Sequence, residues 1–257
     1  MIVLLMALCL IAVLAAVGGM LVYLFGTGLS YLTLEYVLSS SVGIFPMILT
    51  SFLLIAGTVF LVLPVGIATA LYLNEFGEDV RFIRILDYSL DTLSGIPPIL
   101  YGLFGFFLFS RALGFGQSIL SGSATLGFMT LPLVIRSIQH TLQQIPQTLR
   151  SGAESLGASR LQTTVELVLP AALPGIISTV LKVIGRIAGE AAPVLLTVGT
   201  ARNLPASMFD SGRTLSVHVY YAAQEAITHN DFGAVAAAAT VLAGFSILMH
   251  FLSRVKL

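Results

Sequence analysis

Charge is what this chain has least of. Only 9% of its 257 residues are Asp, Glu, Lys or Arg, against about 25% in soluble domains. With 57% hydrophobic residues and a mean hydropathy of +0.99, that scarcity excludes a water-soluble domain and makes the chain an integral membrane protein. The charges it has balance, twelve basic against twelve acidic. No basic face emerges, which argues against nucleic acid as a partner. Cys9 is the single cysteine and sits in an apolar run. It excludes an internal disulfide and leaves the redox compartment unread. His140, His218, His229 and His250 fall in different segments without ligand spacing, so no metal site is expected. No Ser–His–Asp arrangement is suggested, and no catalytic residue is expected. A Gly-x-x-x-x-Gly-Lys-Ser/Thr run is also missing, so the chain itself carries no such phosphate-cradling loop.

Basic residues are missing from the N-terminus too. A secretory leader would have them before an apolar stretch of about 7–15 residues. Here the apolar run Met1 to Phe25 is longer and fits a spanning helix of about 20 residues. Six apolar spans follow one another: Ile2–Phe25, Pro46–Leu73, Pro97–Leu113, Leu120–Thr141, Gly175–Thr200 and Phe232–Leu252. The expectation is an all-α, six-helix membrane protein with a single domain over residues 1–257.

Lys and Arg in the loops set orientation. Arg81, Arg84, Arg136, Arg150, Arg160, Arg254 and Lys256 fall on one side, and Arg111, Arg202 and Arg213 on the other. The richer side is expected to be cytoplasmic, with both termini, the Gln144–Pro174 loop and the Asn74–Asp91 loop with its acidic Glu75, Glu78 and Asp79. On the outer side, Leu215, Val217, Val219 and the Tyr220–Tyr221 pair suggest a short interfacial helix over Ser216–Ile227, with a plain connector as the alternative.

The fifth span holds charge at depth. Lys182, Arg186 and Glu190 recur every four residues and share one slowly rotating stripe, each about 6 Å further along the axis. Each costs at least about 2.5–3.5 kcal/mol to insert, so the stripe should face protein or a wet path. Gly185 and Gly189 permit close approach of another backbone, and Pro193 removes a backbone bond just past Glu190. The functional reading is an anion path. Arg186 offers a permanently charged planar fork for an oxyanion, and Glu190 pairs with it when no anion is present, keeping binding weak enough for release. The structural alternative is an intrahelical ion pair that specifies packing. Lys182 can snorkel toward the cytoplasm. Pro97-Pro98 with Gly102 and Gly105 marks a broken or kinked third span, serving as a gate hinge or as close packing. Pro64 and Pro132 read as mild kinks, and Phe104, Phe106, Phe107 and Phe109 as packing or lipid contact.

Between the fourth and fifth spans lies a long polar segment, Gln144 to Pro174, with an amphipathic helix expected over Thr148–Gln162. A short helix of that kind suits a groove on another protein. The segment resembles the coupling loop of ABC-importer permeases, whose pattern is Glu-Ala-Ala, three residues, Gly, nine residues, Ile, one residue, Leu-Pro. Ser151-Gly152-Ala153 stands for the triplet, Gly157 for the glycine, Leu167 for Ile, and Leu169-Pro170 match. The first glutamate is replaced by Ser151, while Glu154 follows the triplet.

Three further segments narrow the resemblance to phosphate-importer permeases, PstA type. Gly189-Glu190-Ala191-Ala192-Pro193 is similar to that family's Gly-Glu-Thr-Ala-Pro. Gly95-Ile96-Pro97-Pro98-Ile99-Leu100-Tyr101-Gly102-Leu103-Phe104-Gly105 resembles its Ser-Ile-Pro-Ser-Ile-Val-Phe-Gly-Leu-Phe-Gly. Leu131 to Arg136 resembles its fourth-span ending. The resemblance implies an ABC type I importer permease in the inner (plasma) membrane. It implies a second, PstC-like permease completing the pore, two PstB-like ATP-binding subunits below, and a PstS-like extracytoplasmic phosphate-binding protein above. ATP and magnesium would sit in the ATP-binding subunits, with no cofactor in this chain. Arg186 and Glu190 match positions implicated in phosphate passage. Three rivals remain: a permease for molybdate, tungstate or sulfate, an ATP-independent anion transporter or channel, and a membrane scaffold.

Overall fold

The computed structural model describes residues 2–40, 43–77 and 79–255. Glu78 and Lys256, both used for orientation above, lie outside them. The regular structure among the described residues is all helical, with no strand. In chain order the helices are α1 (Ile2–Tyr31), α2 (Leu34–Leu38), α3 (Phe45–Leu71), α4 (Val80–Ser94), α5 (Pro98–Gly105), α6 (Ile119–Gln143), α7 (Gln147–Ser155), α8 (Arg160–Gln162), α9 (Leu169–Ala188), α10 (Ala192–Thr197), α11 (Leu215–Glu225) and α12 (His229–Leu252). Wider π-helical turns extend α3 over Tyr72–Phe76, extend α5 over Phe106–Ala112, and fuse α8 to α9 over Thr163–Val168.

Among the described residues, five helical stretches are long and apolar enough to cross a membrane: Leu5–Tyr31, Phe45–Phe76, Ile119–Gln143, Arg160–Ala188 and Asn230–Leu252. The expected third span is different. The 8-residue α5 and the 7-residue π-helical stretch after it reach only about 22 Å, short of a hydrocarbon core of about 30 Å. They join α4 through a bend of 100°. Pro97 forces this corner, because its ring restricts Ile96 to extended backbone and removes a donor that a continuing helix would need. A sixth crossing exists only if the bent pair counts as one. The Asn74–Asp91 segment is likewise not a loop. Asp79 accepts from Arg81 N and Phe82 N, capping the 15-residue amphipathic α4, whose Ile83, Leu86 and Leu90 face the core.

The expected fifth span is also broken. A continuous helix runs from Arg160 to Ala188, then the backbone leaves helical geometry at Gly189 and restarts as α10. Leu167, Leu169 and Pro170 therefore lie within the base of this helix rather than in a loop. Pro170 comes just after the π-helical turn, and Pro174 lies inside the helix one turn further on, where each removes one backbone donor. The outer helix is α11, Leu215–Glu225, two residues shorter at its end than the expected Ser216–Ile227.

α3 and α6 form the centre of the bundle, with α9 against both. Leu54, Val62 and Ala70 of α3 meet Leu126, Val134, Ile138 and Leu142 of α6 and Ile176, Val183 and Ile187 of α9, all buried. Between membrane helices such contacts hold by close packing, since lipid tails are as apolar as leucine. α1 stands outside this core and packs chiefly on α12. Tyr31 Oη donates to Asn230 Oδ1 (3.2 Å), so α1 ends where α12 begins. Ser178 Oγ donates to Ser253 O (2.7 Å), which brings the end of α12 beside the middle of α9.

Candidate functional site

The break after Ala188 gathers the residues expected for an anion path. Gly189 N and Glu190 N still bond back to Arg186 O (3.1 Å) and Ile187 O (3.0 Å), closing α9. Pro193 sits in the first turn of α10, where its missing donor costs nothing. Ser216 Oγ of α11 donates to Glu190 O (2.8 Å), pinning the break against the outer helix. Arg186 Nε and Glu190 Oε1 are 3.7 Å apart, with the arginine side chain 52% exposed and the glutamate side chain 18%. Glu190 thus half-engages the arginine and leaves most of its donors open.

Arg186 lines a cavity of about 310 Å³. The opposite wall is the α4–α5 corner, Leu93 to Pro98 with Tyr101, and α6 adds Met129, Thr130 and Leu133. The uncharged donors on this wall are already used: Tyr101 Oη bonds Leu93 O (2.7 Å), Ser94 Oγ bonds Leu90 O (2.8 Å), and Thr130 Oγ1 bonds Leu126 O (2.7 Å). Arg186 is the one charged group in the lining. Gly102 closes the arrangement: a Cβ there would lie 2.8 Å from Pro193 Cα, so only glycine lets α5 press against α10. Pro97, Pro98, Gly102, Pro193, Arg186 and Glu190, scattered over a hundred residues, come together. Lys182 does not join them. It is exposed on α9 and lines no part of the cavity.

At the other end of α9 the coupling segment folds as two helices, not the single Thr148–Gln162 helix expected. α7 ends in a Schellman turn: Gly157 N bonds Glu154 O (3.0 Å) and Ala158 N bonds Ala153 O (3.1 Å). Gly157 carries φ +92°, a left-handed conformation that disfavours a side chain. Ser159 then caps α8 in a reciprocal capping box with Gln162. Ser151, Gly152, Glu154 and Gly157 are all exposed, Ala153 is half-buried, and Leu156 at the tip is 91% exposed.

Sequence reasoning counted Arg150 only as a loop charge. It is instead buried, with its side chain 10% exposed against 7% for its partner Glu75. Nε and Nη2 grip Glu75 Oε2 (3.1 Å) and Oε1 (2.9 Å), Nη1 donates to Ile145 O (2.7 Å), and Nη2 also to Leu142 O (3.0 Å). The available signal was chemical: one Arg in the coupling helix and one Glu ending the second span, on the same predicted side. Arg136 similarly reaches Asp87 (2.6 Å) and Asp91 (2.7 Å), tying α6 to α4.

Residues 62–255 match the family described as "Binding-protein-dependent transport system inner membrane component". The chain belongs to that family. It is therefore a multi-pass inner-membrane permease of the ABC transporter type. It is 42% identical over 147 residues to a "Phosphate transport system permease protein PstA" of Mycobacterium leprae (strain TN), covering 57% of this chain and 48% of that one. The match spans about half the length of that relative. A "Probable ABC transporter permease protein YqgH" of Bacillus subtilis (strain 168) is 31% identical over 224 residues, covering 82% of this chain and 72% of that one. The fold is similar to a chain of a bacterial alginate ABC transporter solved with its periplasmic protein, with TM-score 0.71, 13% identity, and coverage of 97% of this permease and 92% of that chain.

Proposed function

We propose that this permease is a transmembrane subunit of an ATP-driven importer for inorganic phosphate. The carrying observation is the cavity at the α9–α10 break, whose one charged lining group is Arg186. A guanidinium fork matches two oxygens of a tetrahedral oxyanion and stays charged at any working pH. The likeness to permeases named for phosphate transport selects phosphate among oxyanions. Phosphate arriving from an extracytoplasmic binding protein takes the open donors of Arg186. Glu190, 3.7 Å from the same guanidinium, competes for it and repels the bound anion, which favours onward release. Pro97, Pro98, Gly102 and Pro193 form the corner against which this site opens and closes.

The exposed α7 tip, with Leu156 and the Gly157 turn, docks in a groove of a partner ATPase, and two such ATPases serve this chain and a second permease. That end of the molecule is cytoplasmic. Both termini are cytoplasmic in this reading, which the excess of Arg and Lys on that side supports.

The test is ATP-dependent uptake of labelled phosphate by vesicles holding the complete complex and its binding protein, with excess molybdate or sulfate as competitor. Saturable uptake that ignores the competitors is expected. An assembled, ATP-hydrolysing complex that takes up no phosphate sends the substrate back to the other oxyanions.

A further inference from the structure

We infer that the Arg150–Glu75 pair is the link through which movement of the coupling helix reaches the transmembrane core, making Arg150 a positioning residue for transport rather than a docking contact. The inference rests on the reading that α7 docks on an ATPase. Arg150 is the one buried residue of the nine in α7. A cavity of about 680 Å³ with polar walls lies behind the helix, lined in part by Asn74, Glu75, Gln143, Gln147 and Thr163. α7 is therefore not packed on the bundle through an apolar face. Besides its chain connections, α7 makes a contact along Thr163–Val168 and is tied to the bundle by Arg150.

What Arg150 holds decides the argument. Its guanidinium reaches two elements at once, both buried. Two donors engage both oxygens of Glu75, on the π-helical turn that ends α3. Bonds to Leu142 O and Ile145 O engage the end of α6. Asn74 Nδ2 donates to Glu75 Oε1 (2.6 Å) and fixes the carboxylate from its own side. These four bonds from one planar, rigid group define a direction as well as a distance. A pull on α7 is thus delivered to α3 and α6, the most intimately packed pair in the bundle. α6 carries Met129, Thr130 and Leu133 into the Arg186 cavity. The route from docking helix to anion site is contiguous through packed groups, and the two ends are distinct sites. A lysine at position 150 would keep the charge but could not hold both carboxylate oxygens and both carbonyls.

The experiment uses the complete complex in proteoliposomes with its binding protein, and compares Glu75→Gln and Arg150→Lys with the parent. Glu75→Gln keeps the size but removes the charge and turns one acceptor oxygen into an NH2 donor, so only one of the two arginine bonds can remain; it decides should Arg150→Lys fail to assemble. ATPase is expected to copurify in full yield and to hydrolyse ATP, while phosphate accumulated per ATP falls at least about tenfold. A simple loss of stability would lower yield and both rates together, not their ratio. An unchanged ratio in assembled variants overturns the inference.

A second readout needs no cargo. In a Cys9→Ser background, Ser94→Cys reports from the cavity wall through its modification rate by a membrane-impermeant thiol reagent. ATP with vanadate is expected to change that rate in the parent and to leave it unchanged in Glu75→Gln. The same ATP-dependent change in both overturns the link even if phosphate is not the substrate. Failed phosphate uptake by the parent alongside a link-dependent thiol response corrects the cargo alone.

Discussion

Gly152 of α7 and Gly157 just past its end offer a test with opposite signs. At both Gly157 and Gly152, nothing lies within 4 Å of where a Cβ would be, so neither substitution by alanine meets a clash. Their backbones differ. Gly157 holds φ +92° while Gly152 is helical. An alanine in left-handed geometry costs about 1–2 kcal/mol. An alanine in an exposed helix interior contributes about 0.5–1 kcal/mol relative to glycine. Gly157→Ala should therefore speed hydrogen exchange at the Gly157-position and Ala158 amides, which close the Schellman turn, by about 5–30-fold. Gly152→Ala should slow exchange in α7 about twofold to fivefold. Gly157→Asn, which tolerates the left-handed region, should sit near the parent. Exchange measured by mass spectrometry on the purified complex gives all three. If Gly152→Ala and Gly157→Ala shift α7 in the same direction, or Gly157→Ala changes nothing, the left-handed cap is not what ends this helix. Gly157→Trp adds bulk to the same strain and should prevent ATPase copurification. Full-yield ATPase with that variant removes the coupling assignment.

Arg186→Gln should abolish uptake while the complex assembles and hydrolyses ATP, and normal uptake by an assembled variant removes the pathway role. Gly102→Ala presses a methyl on Pro193 backbone and should destabilise the permease by about 1–3 kcal/mol, read as a lower midpoint for loss of the monodisperse peak after heating. His218, on α11 outside the spanning segments, is held near pH 4 by burial first and then by the charges of Arg213 and Arg202. Its folded form binds its proton later than an unfolded imidazole at about 6.5, so stability falls as pH drops from 6.5 to 4. The loss is at most about 3 kcal/mol, less after solvent screening. His218→Phe should flatten that decline in unfolding midpoint, and an equal decline in both would show that His218 is not its source.

The sequence exposed what is periodic and chemically costly. Long apolar runs, the charged stripe at Lys182, Arg186 and Glu190, and the place of Gly157 within a spaced motif were readable without coordinates; its left-handed backbone was not. Two features resisted. Hydropathy cannot tell a straight spanning helix from a short one entered at a corner, so Pro97–Leu113 read as a span of its own, whereas it counts toward a sixth crossing only together with α4 through the 100° bend. Nor does apolar continuity register the break at Gly189, because Ala191, Ala192 and Val194 are as apolar as the helix before it. The Arg150–Glu75 pair was hidden for another reason. A residue's burial against a partner 75 positions away is a property of the assembled bundle, and a lone arginine in a polar segment looks solvated.

The unbroken helix from Arg160 to Ala188 has a mechanical consequence. Between the Ser159 cap and Arg186 it forms a rod about 39 Å long. Rotating such a rod by only about 5° about its capped base would sweep the guanidinium sideways by about 3 Å, the length of a hydrogen bond. The Gly157 turn and Arg186 therefore stand at opposite ends of one helical stretch, and a small tilt at its base becomes a displacement large enough to make or lose a single charged contact.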